Sequence, residues 1–294
     1  MNKIINGNKD SYFLHLKPKK ENKKPLIITS PHSGILLDEL LFQKRRSNVE
    51  CFDVMQDMYV NDLSNGLEAL GFTVIQSNIS RLVIDLNRNT NEIDPKYIED
   101  MPKQINYILS DKVKSGIGLI SFFDGSGKNI YENKITWSEL CFRIENYYKP
   151  WHLLLKDELN NSLKKFGRAF LIDLHSMPSK NFYGNYLSDF VIGNNFGKSS
   201  SNLAKNALKS IIKSHGYSVS VNDPYSGGYI TKNYSSLDKN IQCIQLEIKK
   251  SLYMDEKNFT KNENFDDFAL ELKQIIFQFF NELDQNVKLK YAAE

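Results

Sequence analysis

Cysteine is scarce in this chain: Cys51, Cys141 and Cys243 are the only three in 294 residues, far apart and in no CxxC pair. An odd, scattered set builds neither a disulfide framework nor a zinc knuckle, and it fits a reducing compartment. Long apolar runs are missing too. No stretch approaches the ~18 residues of a membrane span, and residues 1–11 are polar, with no apolar core of signal-peptide length. The expectation is a cytoplasmic protein without a membrane partner. Neither sign of charge dominates: 38 Lys and Arg stand against 35 Asp and Glu, leaving +3. The lysines are dispersed except in residues 17–24, which read as a solvated arm, so a nucleic-acid partner is not implied. The glycines around residues 116–127 do not fall in GxGxxG order between a strand and a helix, and a dinucleotide fingerprint does not fit.

Histidine is also sparse, five in all, yet two of the five stand in matching places. Pro25-Leu26-Ile27-Ile28-Thr29-Ser30-Pro31-His32-Ser33-Gly34 is an apolar run that ends in a histidine and then small residues. Leu171-Ile172-Asp173-Leu174-His175-Ser176-Met177-Pro178 repeats that grammar. Short apolar runs ending this way read as strands leaving a sheet, the end at which α/β enzymes place their chemistry.

Between these marks the chain alternates. Strands are expected at residues 12–16, 26–29, 72–75, 82–86, 217–221 and 241–248, each a short apolar or β-branched run. Helices are expected at 53–70, 136–165, 200–215 and 265–289, where apolar residues recur at helical spacing, with a break or kink at Pro150. A polar, irregular excursion fills residues 91–134, and a glycine-rich loop runs over 222–229. Repeats, low-complexity blocks and linkers are absent. The prediction is an α/β fold, a central mixed sheet flanked by helices, with residues 1–24 as an N-terminal arm and 25–294 as one domain.

Chemistry follows from which residues meet the strand ends. His32 and His175 supply two imidazoles; Asp57, early on the expected helix, supplies a carboxylate. Two imidazoles and one carboxylate are the smallest protein set that holds a catalytic zinc and leaves a position open. Glu247, a lone carboxylate in the apolar stretch Ile244-Gln245-Leu246-Glu247-Ile248, is placed to move a proton. Alternatively it is an interior carboxylate paired with an arginine. Arg81 and Arg88 flank the run 82–86, and either suits a planar carboxylate or a carbonyl oxygen gaining charge. Asp85 and Asp173 either bond to backbone or orient a ligand histidine. His152 is either structural or a hydrogen-bonding group of the pocket, whereas His15 and His215 read as ordinary core or surface residues.

Pro31-His32-Ser33-Gly34, Ser80-Arg81-Leu82-Val83-Ile84-Asp85-Leu86-Asn87-Arg88, Asp173-Leu174-His175-Ser176-Met177-Pro178, Asn222-Asp223-Pro224-Tyr225-Ser226-Gly227-Gly228-Tyr229 and Gln245-Leu246-Glu247 resemble, in this order, the blocks of the N-formylglutamate amidohydrolase family. That family is similar in turn to the zinc carboxypeptidases. The resemblance implies a zinc hydrolase on a carboxypeptidase-like fold that cuts an N-formyl or other N-acyl amide from a small acidic amino acid, as in histidine degradation. By the same resemblance His32 and His175 are metal ligands and Glu247 the general base. Asn87, Arg88, Ser176 and Tyr229 bind substrate. From its place before the run 82–86, and not from the resemblance, Arg81 is taken as a catalytic cation for the developing oxyanion. Where carboxypeptidases carry a glutamate three residues after the first histidine, this chain has Ile35. Asp57 is taken as the third ligand, with Asp38 and Glu39 as rivals. Met58-Tyr59 stands where an aromatic followed by histidine is expected. The alternatives are a zinc carboxypeptidase or peptidoglycan amidase, and a binding protein on the same fold that has lost turnover.

Overall fold

The structure is a computed structural model of the chain, and it describes residues 12–37 and 55–292. It is an α/β domain built on one mixed sheet. Its strands are β1 (Phe13–Leu16), β2 (Leu26–Ser30), β3 (Thr73–Ser77), β4 (Ala169–Met177), β5 (Phe190–Gly193), β6 (Val219–Val221) and β7 (Ile241–Lys249). They lie in the order β1-β3-β2-β4-β7-β5-β6. β4 is parallel to both β2 and β7, and β5 runs antiparallel to β7. No helix among the described residues is long and apolar enough to cross a membrane.

Within the domain the chain traces two compact units. Among the described residues one comprises 12–14, 30–37, 55–58 and 75–157; the other comprises 15–29, 59–74 and 158–292. In the second, β4 and β7 are buried along most of their length, apolar residues alternating toward their ends with the polar ones that form the site. Such burial is that of central parallel strands covered on both faces. Helix α4 (Asn202–Ser214) begins where the Ser201 hydroxyl accepts the Ala204 N–H at 3.2 Å, satisfying one orphan donor of the first turn. It buries Ala204, Ala207, Leu208, Ile211 and Ile212, one stripe at helical spacing. That stripe faces α6 (Phe265–Ala292), whose Leu272, Ile275, Ile276 and Phe279 are also buried. Each such side chain contributes roughly 1.5–3 kcal/mol.

The first unit holds the long helical run α2 (Trp137–Arg143), a π-helical turn at Ile144–Tyr148, and α3 (Lys149–Phe166), which continues beyond Asp157 into the second. The helix does not break at Pro150, which lies inside α3; its irregularity is the π turn just ahead of it. Proline removes one N–H from the helix ladder, and the wider π turn just before it is the place where that ladder is already opened.

Two other expectations are corrected. Residues 82–86 are not a strand but turns on either side of the irregular pair Ile84-Asp85, although every side chain there is buried. Their backbone is answered by groups outside any ladder: Arg143 Nη1 donates to Val83 O at 2.8 Å, Tyr131 Oη to Leu82 O at 3.4 Å, and Asp85 N to Leu119 O at 2.8 Å. A buried peptide needs a partner, but the partner can be a side chain. The expected helix over 53–70 is also interrupted. Its start lies outside the described residues, and beyond it only Val60–Ser64 (α1) is a full helical segment, with a 3₁₀ turn at Glu68–Leu70. Tyr59, with φ 65°, breaks the helical path ahead of α1.

Candidate metal centre and substrate site

His32 follows β2 by two residues, at a bend that requires the glycine after Ser33. A Cβ on Gly34 would lie 2.2 Å from the carbonyl oxygen of Ile79, so only glycine allows that approach. The ring is fixed from one side. His32 Nε2 donates to Asp85 Oδ1 at 2.7 Å, and the other Asp85 oxygen accepts Arg81 Nη2 at 2.7 Å. Asn87 N also donates to Asp85 Oδ1, at 2.8 Å. Burial by itself would raise the Asp85 pKa, but its partners His32, Arg81 and Arg88 outweigh it and hold the carboxyl well below its ordinary range. Asp85 is therefore the ionised acceptor that fixes the tautomer of His32, leaving Nδ1 as the nitrogen with a lone pair.

Asp57 meets that nitrogen. It lies on an irregular segment ahead of α1, not on a helix as expected. Its N–H donates to His32 O at 3.0 Å, and Arg81 Nη1 donates to the nearby Met55 O at 3.3 Å. Asp57 Oδ2 is 3.6 Å from His32 Nδ1. That is too long for a hydrogen bond. It is close to the roughly 3.4 Å that two donors keep when each binds one tetrahedral ion at ~2.1 Å.

His175 repeats the device. It lies near the end of β4, and its Nε2 donates to Asp173 Oδ2 at 2.8 Å, while Thr29 Oγ1 donates to Asp173 Oδ1 at 2.6 Å. Residues two apart on a strand share a face, so the pairing is set by the strand itself. The parallel ladder places Gln245 beside Asp173 and Glu247 beside His175. Those four side chains form a two-by-two patch on one face of β4 and β7. Within it Gln245 Nε2 donates to Glu247 Oε1 at 2.6 Å and accepts, through its own Oε1, the N–H of Gly228 at 2.6 Å. The glycine-rich loop is thus tied to the strand that carries Glu247. Ser176, the next residue after His175, points to the opposite face by the same alternation.

Among the described residues, His32, Asp57 and His175 form a group in which each offers one ligand atom, all within 4.8 Å of one another and all buried. The donor types, the separation and the carboxylate behind each imidazole fit a divalent metal ion. The rival ligands Asp38 and Glu39 lie outside the described residues.

The other expected site residues fall in two places. Asn87 and Arg88 are buried in the turn that follows Asp85. Arg88 Nη1 donates to Asn87 O at 2.9 Å and Nε faces Ile117 O at 3.5 Å, which leaves the Nη2 end to reach a ligand. Tyr229 opens the short helix α5 (Tyr229–Tyr234) after the glycine-rich loop. A Cβ on Gly193, at the end of β5, would meet the backbone of Ser226 and Gly227 at 2.8 Å, so that residue lets the loop pass. Arg81, expected to face an oxyanion, directs its two Nη atoms at Asp85 and at Met55 O.

The sequence model of the N-formylglutamate amidohydrolase family matches residues 24–254. The N-formylglutamate deformylase of Pseudomonas putida is 29% identical over 254 residues, 83% of this chain and 87% of that protein. That of Pseudomonas aeruginosa is 28% identical over 247 residues, covering 81% and 85%. The crystal structure of N-formylglutamate amidohydrolase from Ralstonia eutropha JMP134 superposes with a TM-score of 0.88 at 26% identity, over 94% of this chain and 99% of that one.

Proposed function

Because the chain belongs to the N-formylglutamate amidohydrolase family, we propose that it hydrolyses the N-formyl amide of N-formyl-L-glutamate, or a closely similar N-acyl acidic amino acid, to formate and the free amino acid. The observation that carries this reading is the buried group of His32, Asp57 and His175. A divalent ion held there, zinc by its donor set, would supply Lewis acidity and a water acidified to near-neutral pKa.

The chain's own residues do the rest. Glu247, beside His175 in the ladder, takes a proton from the water that attacks the formyl carbon. It returns that proton to the amide nitrogen as the C–N bond breaks, so the amino acid leaves as an amine. Gln245 holds one Glu247 oxygen and directs the other at the reacting atoms. Asp85 and Asp173 keep the two imidazoles in the ligating tautomer, and Arg81 keeps Asp85 ionised. Arg88, with Asn87, receives a substrate carboxylate through its planar fork, and Tyr229 closes over the substrate from the glycine-rich loop. Ser176 acts in substrate binding only if the substrate reaches the other face of β4.

Release of free L-glutamate from N-formyl-L-glutamate, N-acetyl-L-glutamate and a C-terminal glutamyl peptide, measured with the metal content of the same preparation, tests this reading. About one ion per chain is expected, with turnover of the formyl substrate that chelation abolishes and added zinc restores. Full turnover by metal-free protein overturns the metal-dependent mechanism, and preference for the peptide overturns the substrate.

A further inference from the structure

The turn that carries Asn87 and Arg88 belongs to no strand, so its precision must come from elsewhere. Three consecutive carbonyls of that turn each accept a side-chain donor. His152 Nε2 donates to Leu86 O at 3.1 Å, Arg88 Nη1 to Asn87 O at 2.9 Å, and Tyr148 Oη to Arg88 O at 2.7 Å. Two of these donors come from one helical run and are spaced by four residues, which puts them on one face. Their rings lie against each other, with centroids 4.0 Å apart.

The helix is irregular at this point. Ile144–Tyr148 is the π turn, and Tyr148 is its last residue. A π turn adds one residue to the helical repeat and rotates all that follows. Here it sets the phase at which Tyr148 and His152 face the Leu86–Arg88 turn. His152 is held neutral, its pKa pushed down to about 4 by burial against the weaker opposing effect of the Leu86 carbonyl. Its single ring N–H is then the one that the carbonyl requires.

We infer that Tyr148 and His152 are positioning residues for substrate recognition: from one helix face they fix the carbonyls on either side of Asn87 and so aim the Arg88 guanidinium at the substrate's carboxylate. This rests on the reading that Arg88 binds that carboxylate. It gives the π turn a purpose in specificity and leaves the metal ligands and Glu247 untouched.

The test compares Tyr148→Phe, His152→Leu, His152→Gln and Arg88→Ala in the full-length, metal-loaded protein. Three readouts are needed: KM and kcat for N-formyl-L-glutamate, the Kd for L-glutamate by calorimetry, and Tm. Tyr148→Phe and His152→Leu should each raise KM and Kd about 10-fold, the loss of one buried hydrogen bond, with kcat within about 2-fold of the parent. His152→Gln, which keeps an N–H donor, should recover most of the loss. Arg88→Ala should raise KM and Kd further. If Arg88→Ala raises them and the Tyr148 and His152 variants do not, the inference is overturned and the role of Arg88 stands. If Arg88→Ala changes neither, that role fails and the inference with it. If KM, kcat and Tm worsen together in the Tyr148 and His152 variants, and His152→Gln rescues nothing, the two residues are merely structural and the inference is overturned.

Discussion

Replacing Asp85 and Asp173 one at a time by asparagine separates two jobs that these carboxylates do at once. Each accepts Nε2–H from one imidazole of the metal group, at 2.7 Å for His32 and 2.8 Å for His175. Loss of such a partner weakens both ligand basicity and ring orientation, and metal affinity should fall about 10–100-fold in either variant. The stability effects should differ. Asp85 also answers Arg81 Nη2 at 2.7 Å and Asn87 N at 2.8 Å. An asparagine there can keep its oxygen on His32, but then turns an N–H₂ toward the arginine, donor against donor. Breaking one side of a fully buried pair costs about 3–5 kcal/mol. Arg81 is partly exposed, so about 2 kcal/mol is expected once solvent screening is allowed for. Asp173 has Thr29 Oγ1 on its second oxygen, and a hydroxyl can accept from an asparagine N–H₂ as well as donate. That variant should lose about 1 kcal/mol or less. Competition with a chromogenic chelator gives the metal affinities, and urea unfolding of the metal-free proteins gives stability without the contribution of bound metal. Unchanged metal affinity in both variants would refute the claim that the carboxylates set the imidazoles for an ion. Equal loss of stability in both would refute the account of Arg81.

Two further outcomes are expected. Glu247→Gln should bind metal as the parent does and lose about 10²–10⁴-fold in kcat, read from initial rates and metal content together; parental kcat would remove Glu247 from the proton transfer. Glu158 is held down at about 2 by His15, whose Nε2 lies 3.3 Å away, against the opposing effect of burial and with further help from Lys23 at 2.7 Å. A depressed carboxylate contributes stability that is complete above its unfolded pKa of about 4.5 and is lost as pH falls toward 2. Screening trims that contribution to roughly 1–2 kcal/mol. The urea midpoint should therefore fall between pH 4.5 and 2, with a gentler slope in Glu158→Gln; identical slopes would contradict the pairing.

Where the sequence speaks in apolar runs and helical stripes, the fold follows it. β2, β4 and β7 form at the expected runs, and α4 and α6 at the expected stripes. The sites at which it misleads share a cause. Residues 82–86 have the composition of a buried strand, but composition reports burial and not hydrogen-bond direction. Here Arg143, Tyr131 and Leu119, distant in sequence, answer the backbone. β5, a four-residue strand after a long loop, is too short to show a period and escapes sequence reading. Asp57 was legible as a companion of His32 and His175 but not as a loop residue, since its position depends on a hydrogen bond to His32 O and on the left-handed Tyr59. Tyr148 is invisible as a site residue in sequence, because the π turn that aims it leaves the apolar periodicity of the long helix almost unchanged.

The electrostatics of the metal group also explain why its residues are arranged in pairs. A buried carboxylate is costly unless a positive or hydrogen-donating partner stands against it. Asp85 has Arg81, and Asp173 has Thr29 and His175. Asp57 approaches His32 at 3.6 Å, on the side of the ring away from Asp85. At that separation the ring nitrogen and the carboxylate face a common point, with His175 as the third donor to it. A divalent cation at that point would offset the charge of Asp57 and leave both imidazoles in the state that Asp85 and Asp173 already impose.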